Sequence, residues 1–209
     1  MKNVLLLGDS IRIGYDKAVK KALEGKANVY FPKENCRFAA YLLRTLHEYV
    51  EKTKCEQIDV IHWNAGLWDC LRLFDEDPQT PIEHYAYYIE RLCARMKKLC
   101  PNAHVIFATS TRVIEEKMPK PFSRFNADIE KYNEAAINVV KKYGFEVNDL
   151  YAVSAALPEE AHSDAVHFYT PMGTEVFAKQ TLSFIAPALG IEEELEYSEE
   201  MYTNQPVGI

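Results

Sequence analysis

The sequence MKNVLLLGDS (1–10) places four consecutive apolar residues directly before a glycine, an aspartate and a serine. A short apolar run without polar interruption is typical of a strand that is covered on both faces of a parallel sheet. Gly8, Asp9 and Ser10 follow at its carboxyl end, which is the edge where open α/β sheets place their ligands. This stretch therefore predicts a buried parallel strand that presents a serine hydroxyl at a candidate site.

Short apolar runs alternate with longer segments of helical period along the rest of the chain. The runs predict strands at 3–7, 27–31, 58–63, 104–108 and 145–147. Strands that alternate with helices indicate the α/β class, with about five parallel strands and helices on both faces of the sheet. A polar segment with two prolines at 112–125 breaks this pattern and predicts a long surface loop.

Length and composition indicate one globular domain. The chain has 209 residues, of which 48% are hydrophobic and 26% are charged, close to the average of soluble proteins. We expect the domain to span 1–190 and an acidic extension to follow at 191–209. The formal charge of -7 and the lack of a basic stripe argue against a nucleic acid as partner.

The sequence carries no sign of a membrane segment or of a disulfide framework. No stretch approaches the roughly 20 apolar residues of a membrane span, and the first residues lack the pattern of a signal peptide. The five cysteines are odd in number and form no CxxC pair, which indicates free thiols. We therefore expect a cytoplasmic protein with no membrane partner. The acidic tail is either a solvated extension or an arm that forms a homo-oligomer.

A serine needs a positioned base before it can act as a nucleophile. The segment SDAVHFYTPMG (163–173) offers one, because Asp164 stands three residues before His167. At this spacing the carboxylate can fold back to Nδ1 of the imidazole and leave Nε2 free to face a hydroxyl. Each half alone has an ordinary structural explanation, since Ser10 could cap a helix and an aspartate near a histidine is common.

Three motifs follow one another along the chain. They are GDS (8–10), HWNAGLWD (62–69) and DAVH (164–167), the last followed by Tyr169, Thr170 and Gly173. Taken together and in this order, they resemble the SGNH hydrolases, the GDSL esterase and lipase superfamily. The resemblance implies a flavodoxin-like three-layer α/β/α sandwich. It implies Ser10 as nucleophile, His167 as general base and Asp164 as its partner, with no metal or other cofactor. The histidines and cysteines show no metal-ligand spacing either.

The resemblance also implies an oxyanion hole built from the amide of Ser10, a backbone amide in a second block and an asparagine in a third. The second block corresponds best to ENCRFAAY (34–41), which lacks the family's glycine. A backbone amide of Cys36 or Arg37 can still donate, because only the side chain differs.

The third block of the family reads GxND, and here the match is looser. Alignment of Gly66 and Asp69 with its glycine and aspartate puts Trp68 at the asparagine position. An indole offers a single N–H donor. Asn64 is the nearest carboxamide and is the donor that we expect, together with Gly66. The alternative is that Asn64 caps a turn and Trp68 only packs.

The side chains that we expect near a bound substrate are Asp9, Arg12, Trp68 and Thr111. The arginine suits an acidic or hydroxyl-rich molecule. We interpret the nearby His62 as structural.

The sequence thus predicts a serine esterase that removes a small acyl group, acetyl above all, from a hydroxylated small molecule or an oligosaccharide. Its partner would be a small-molecule ester or an acetylated saccharide. Two alternatives stay open. One is a lysophospholipase or acyl thioesterase of the same fold, and the other is a non-catalytic domain that binds a carbohydrate or a partner protein.

Overall fold

The computed structural model of the protein describes residues 1–193, 195 and 197–203. Its central parallel sheet has five strands, which are β1 (Lys2–Leu7), β2 (Ala27–Tyr30), β3 (Val60–Trp63), β5 (His104–Ala108) and β7 (Glu146–Asn148). Their order across the sheet is β2-β1-β3-β5-β7. A separate antiparallel ribbon joins β4 (Arg72–Leu73) to β6 (Phe122–Ser123). The prediction of an α/β fold with a five-stranded parallel sheet is confirmed.

The helices cover both faces of the sheet. They are α1 (Ser10–Ala22), α2 (Ala39–Lys52), α3 (Ile82–Leu99), α4 (Asn126–Lys142), α5 (Leu150–Ala155), α6 (Pro171–Leu189) and α7 (Glu200–Thr203). Helices α1 and α6 pack together, and α2, α3 and α4 form a second row. Because β1 lies between β2 and β3, the crossovers through α1 and α2 run in opposite directions along the sheet. Right-handed crossovers then place α1 and α2 on opposite faces.

The reversal of the crossover direction at β1 determines where the site lies. The register pairs Leu7 with Trp63 and Trp63 with Phe107, so these three strands end at one level. The segments that follow β1, β3 and β5 therefore meet at one edge of the sheet, at the switch point where α/β folds bind ligands.

The predicted loop at 112–125 contains more structure than expected. It holds a short 3₁₀ turn at Glu115–Lys117 and the strand β6, which pairs with β4. A two-residue strand is too short to show a period in sequence, so its pairing with a distant partner left no local signal.

The described part of the C-terminal extension packs on its own chain. Leu195 and Tyr202 are buried, and α7 contacts α1 and α6. Lys26 and Glu193 form an ion pair that adds to this contact. The remaining positions of the extension, 194, 196 and 204–209, lie outside the described residues. Association of two chains through the tail stays a prediction.

Within the described ranges, no helix is both long enough and apolar enough to cross a bilayer. Cys36, Cys55, Cys70, Cys93 and Cys100 are all free thiols.

Candidate active site

The turn from β1 into α1 presents Ser10 at the start of the helix. Asp9 caps this helix, because its Oδ1 accepts a hydrogen bond from the Ile11 amide at 3.0 Å. Gly8 has φ +155°, and a Cβ atom at this position would lie 1.8 Å from Oδ1 of Asn64. Only glycine fits this close approach, so the glycine lets the strand and the neighbouring loop converge behind Ser10.

The structure brings together the three side chains predicted to form a triad. Nε2 of His167 lies 2.8 Å from Oγ of Ser10, and Nδ1 of His167 lies 2.8 Å from Oδ2 of Asp164. The carboxylate partner fixes Nδ1 as the protonated nitrogen, which leaves the lone pair of Nε2 facing the serine hydroxyl. A carboxylate, an imidazole and a hydroxyl thus form one hydrogen-bonded chain.

The carboxylate of Asp164 is held from its other side as well. Its Oδ1 accepts hydrogen bonds from the amides of Val166 at 2.7 Å and His167 at 2.8 Å. Partial burial acts to raise the pKa of Asp164, but these amides and the imidazole outweigh it and hold the pKa below its usual value. Asp164 is therefore ionised at neutral pH and oriented toward the imidazole.

The Ser10 amide is suited to bind an oxyanion. It lies in the first turn of α1, where backbone N–H groups have no partner inside the helix and the helix dipole favours negative charge. This part of the expected oxyanion hole is compatible with the structure.

The second block departs from the expectation at one residue. The Cys36 amide donates to the carbonyl of Gly8 at 3.0 Å, which ties this loop to β1 and leaves no N–H for an oxyanion. Cys36 as a donor is therefore wrong. The Arg37 amide donates to Oδ1 of Asn35 at 2.7 Å, so it becomes available if that side chain rotates. Arg37 also has φ +54°, a backbone conformation that favours glycine.

In the third block the Asn64 side chain lies against Gly8 and Asp9, the two residues that precede the nucleophile. The side chain is buried, and its Nδ2 donates to Oδ1 of Asp9 at 2.9 Å while the second N–H of Nδ2 has no partner in the described chain. Gly66 has φ +149°, and a Cβ atom there would lie 2.3 Å from Oγ of Ser110. Gly66 thus permits close packing under the loop, and Trp68 is half-buried beside it.

Arg12 does not reach the cleft, which corrects the expectation that it binds substrate. Its side chain is fully buried and pairs with Asp16 one turn further along α1. The guanidinium also donates to the carbonyls of Pro32 at 3.0 Å and Glu34 at 2.9 Å. Its hydrogen bonds therefore connect α1 to the loop that precedes Arg37.

Asp9 and Thr111 are also misassigned as substrate-binding residues, because both are fully buried. Asp9 serves as a helix cap and as the acceptor for Asn64. Burial raises the pKa of Asp9, against the effect of these two hydrogen bonds. Thr111 lies beneath the surface after β5, and its hydroxyl has no partner within the described residues.

Two residues near the triad had no role in the sequence-based site. The hydroxyl of Tyr169 donates to the Ser10 carbonyl at 2.7 Å, and its ring stacks on His167. Arg124 donates from Nε to the Leu67 carbonyl at 2.6 Å, and its charge acts on the carboxylates of Asp9 and Asp164. Arg124 lies in the loop whose course the sequence did not reveal. Among the described residues, no group of three or more His, Cys, Asp or Glu side chains could hold a metal ion.

No model of a protein family matches this sequence, and no curated protein matches it. Solved structures do resemble the fold. A lipase/acylhydrolase from Enterococcus faecalis superposes with a TM-score of 0.71 at 20% identity, over 93% of this chain and 100% of the other. An acetyl xylan esterase gives a TM-score of 0.70 at 16% identity, over 88% of this chain and 99% of the other.

A further acetylxylan esterase, from Geobacillus stearothermophilus, gives a TM-score of 0.66 at 17% identity and covers 91% of this chain and 95% of its own. The chain therefore spans nearly the full length of all three proteins. At such low identity the likeness establishes a shared fold, and the chemistry has to be argued from the side chains.

Proposed function

We propose that this chain, which has the fold of GDSL-like lipases, acylhydrolases and acetyl xylan esterases, is a serine ester hydrolase. The observation that carries the proposal is the hydrogen-bonded chain from Asp164 through His167 to the hydroxyl of Ser10. This arrangement activates a serine for acyl transfer on several unrelated folds. The fold and the site are thus two independent supports.

In the acylation step, Oγ of Ser10 attacks the ester carbonyl carbon and Nε2 of His167 takes the hydroxyl proton. Asp164 stabilises the resulting imidazolium through its bond to Nδ1. Collapse of the tetrahedral intermediate breaks the ester C–O bond, and the departing alcohol oxygen takes the proton from Nε2. The product of this step is an acyl group on Ser10.

Deacylation repeats these proton transfers with water. Nε2 of His167 takes a proton from a water molecule, whose oxygen attacks the acyl carbon. The bond from that carbon to Oγ of Ser10 then breaks, and Oγ recovers the proton. A carboxylic acid leaves and the triad returns to its starting state.

The Ser10 amide is the first donor that we assign to the oxyanion, and Asn64 is the second through the free N–H of its Nδ2. The Arg37 amide becomes a third when Asn35 rotates away. A donor of this kind is worth about 3 kcal/mol of transition-state stabilisation.

We further propose that the acyl group is small, acetyl above all, and that the acceptor is a hydroxylated small molecule or an oligosaccharide. Acetyl xylan esterases of the same fold support an acetylated saccharide as substrate. Trp68 is half-buried in the loop after β3 that also carries Asn64, and an accessible indole face suits a sugar ring. We propose that the hydrolase unit spans 1–190 and the extension 191–209. The five free thiols support a cytoplasmic location.

The decisive test is hydrolysis of p-nitrophenyl acetate by the wild type, Ser10→Ala and His167→Ala. We expect both variants to lose about 10³-fold or more in kcat/KM, because triad members act as a unit. The matched controls are Ser183→Ala on the exposed face of α6 and His104→Ala at the amino end of β5, away from the edge of the sheet that carries the site. Both should leave the rate unchanged. A wild-type rate equal to that of both triad variants would contradict the proposal.

Acyl specificity is tested with p-nitrophenyl esters of two to twelve carbons. A maximum at two carbons supports the acetyl assignment. A maximum at eight carbons or more would favour a lysophospholipase or thioesterase instead. A fluorophosphonate probe that leaves Ser10 unlabelled in the folded protein would favour a non-catalytic binding domain.

A further inference from the structure

Tyr169 connects the C-terminal segment that carries the catalytic histidine to the helix that carries the serine. Its hydroxyl donates a 2.7 Å hydrogen bond to the Ser10 carbonyl, and its ring centroid lies 4.8 Å from that of His167 with 23° between the two planes. One side chain therefore contacts the backbone of the nucleophile and the face of the base at the same time.

We propose that Tyr169 is a positioning residue that sets the distance and angle between His167 and Ser10 and thereby the rate of proton transfer, an inference that rests on the proposed hydrolase function. The hydrogen bond between Nε2 and Oγ cannot do this alone, because it is exchanged for other bonds in every catalytic step. The imidazole therefore needs supports that persist through the reaction. Asp164 holds it at Nδ1, and Tyr169 holds it from the ring face.

The stacked ring also suits the charge that develops on the base. When His167 takes a proton, its imidazolium lies over the π-face of Tyr169, and a cation in this place is attracted by the ring quadrupole. The groups that face His167 are the hydroxyl of Ser10, the carboxylate of Asp164, the more distant carboxylate of Asp9 and the phenol ring of Tyr169. Burial raises the pKa of Tyr169, so its hydroxyl stays protonated and continues to donate to Ser10.

Gly14 on α1 leaves room for the ring of Tyr169. A Cβ atom at Gly14 would lie 2.9 Å from Cδ1 and Cε1 of Tyr169. Gly14 has no positive φ, so its lack of a side chain serves the close contact and not the backbone conformation. A glycine inside a helix is unfavourable compared with alanine, and here it gives the tyrosine room to reach the Ser10 carbonyl.

The first experiment compares Tyr169→Phe with Tyr169→Ala in p-nitrophenyl acetate hydrolysis. Phenylalanine keeps the ring and loses one hydrogen bond, so we expect kcat to fall about 5- to 10-fold. Alanine removes both contacts and should lower kcat about 100-fold, as a misplaced catalytic group does. KM should stay within about twofold in both variants, because the hydroxyl and the ring face of Tyr169 contact the catalytic residues Ser10 and His167.

The matched control is Tyr132→Phe. Tyr132 is also a buried tyrosine whose hydroxyl donates to a backbone carbonyl, that of Thr80, but it lies away from the triad. We expect this variant to keep the wild-type kcat. An unchanged kcat in Tyr169→Ala, or a rise in KM alone, would overturn the proposal.

Gly14→Ala tests the close contact between Gly14 and the Tyr169 ring through a double-mutant cycle. In the wild-type background the added methyl group displaces the Tyr169 ring, and we expect kcat to fall about 10-fold or more although alanine favours the helix. In the Tyr169→Ala background the same substitution should have no further effect on kcat. Losses that simply multiply in the double variant would contradict a shared mechanism.

A spectroscopic readout separates this inference from the hydrolase proposal. The Tyr169 ring current shifts the carbon-bound imidazole protons of His167, whose NMR signals are assigned by their loss in His167→Gln. We expect the shift to persist in Tyr169→Phe and to disappear in Tyr169→Ala. A lost shift together with an inactive wild type would refute the hydrolase function alone. An active wild type whose shift and kcat survive Tyr169→Ala would refute the positioning role.

Discussion

Replacement of His62 by glutamine should remove a loss of stability that the protein otherwise suffers in acid. His62 is fully buried on β3, and its Nε2 lies 3.1 Å from the side-chain nitrogen Nδ2 of Asn148. Oδ1 of Asn148 in turn accepts a hydrogen bond from Nε2 of Gln180 at 3.0 Å. Burial lowers the pKa of His62 to about 3. The imidazole is therefore neutral in the folded protein over the whole working range of pH.

The sign of the effect follows from proton linkage. In the unfolded chain the histidine has a pKa of about 6.5, so below that pH the unfolded state binds a proton that the folded state does not. The contribution of His62 to stability is complete above pH 6.5 and is lost as the pH falls toward 3. Between pH 8 and pH 5 the loss is about 2 kcal/mol, or roughly 4–8 °C in Tm for a chain of this size.

The assay is urea unfolding of the wild type and His62→Gln at pH 8 and pH 5. Glutamine can accept from Asn148 but does not titrate, so the change in unfolding free energy between the two pH values should differ by about 2 kcal/mol between the proteins. Other buried groups such as Asp69 titrate in both proteins and cancel in this difference. Parallel pH dependences, whatever the stability of the variant at pH 8, would refute the reasoning.

Three further outcomes are expected. Arg12→Met leaves the buried carboxylate of Asp16 without its partner, so the unfolding free energy should fall by about 3–5 kcal/mol while KM stays unchanged. A higher KM at unchanged Tm would instead indicate that Arg12 binds substrate. Burial raises the pKa of Asp69 to about 7, so its contribution to the unfolding free energy should fall by about 1.4 kcal/mol between pH 6 and pH 9. In urea titrations the change over this range should differ by that amount between the wild type and Asp69→Asn, because the opposite contribution of His62 is present in both proteins. Arg124 donates from Nε to a backbone carbonyl, and its charge acts near the triad, on Asp9 and Asp164. Arg124→Met should therefore lower kcat/KM about 10-fold more for an anionic ester than for a neutral one, and equal losses would make its role structural.

The sequence predicted the sheet well because its strands carry local signals. The apolar run before Gly8 marks β1 from a few neighbouring residues, and the same holds for β3 and β5. The meeting of Ser10 with the pair Asp164 and His167 could be predicted for a similar reason. Each half is a short motif, and the resemblance supplied the long-range contact between them.

The errors and omissions concern residues whose role depends on a distant partner. Thr111 follows β5 at the expected edge, yet the packing above it decides that it is buried. The ring of Tyr169 reaches Ser10 only because Gly14 leaves space on another element. Arg124 is placed by the pairing of β4 with β6, which no period in the sequence predicts.

The misassigned Arg12 explains how the second block can lack a glycine. Arg37 adopts φ +54°, which costs a non-glycine residue about 1–2 kcal/mol. The same loop receives two hydrogen bonds from the Arg12 guanidinium at the carbonyls of Pro32 and Glu34, and charged hydrogen bonds contribute about 1.5–3 kcal/mol each. These two hydrogen bonds are strong enough to hold the loop in this conformation without glycine. Since Arg12 lies two residues beyond Ser10 on α1, the helix that carries the nucleophile also fixes the loop that carries a candidate oxyanion donor.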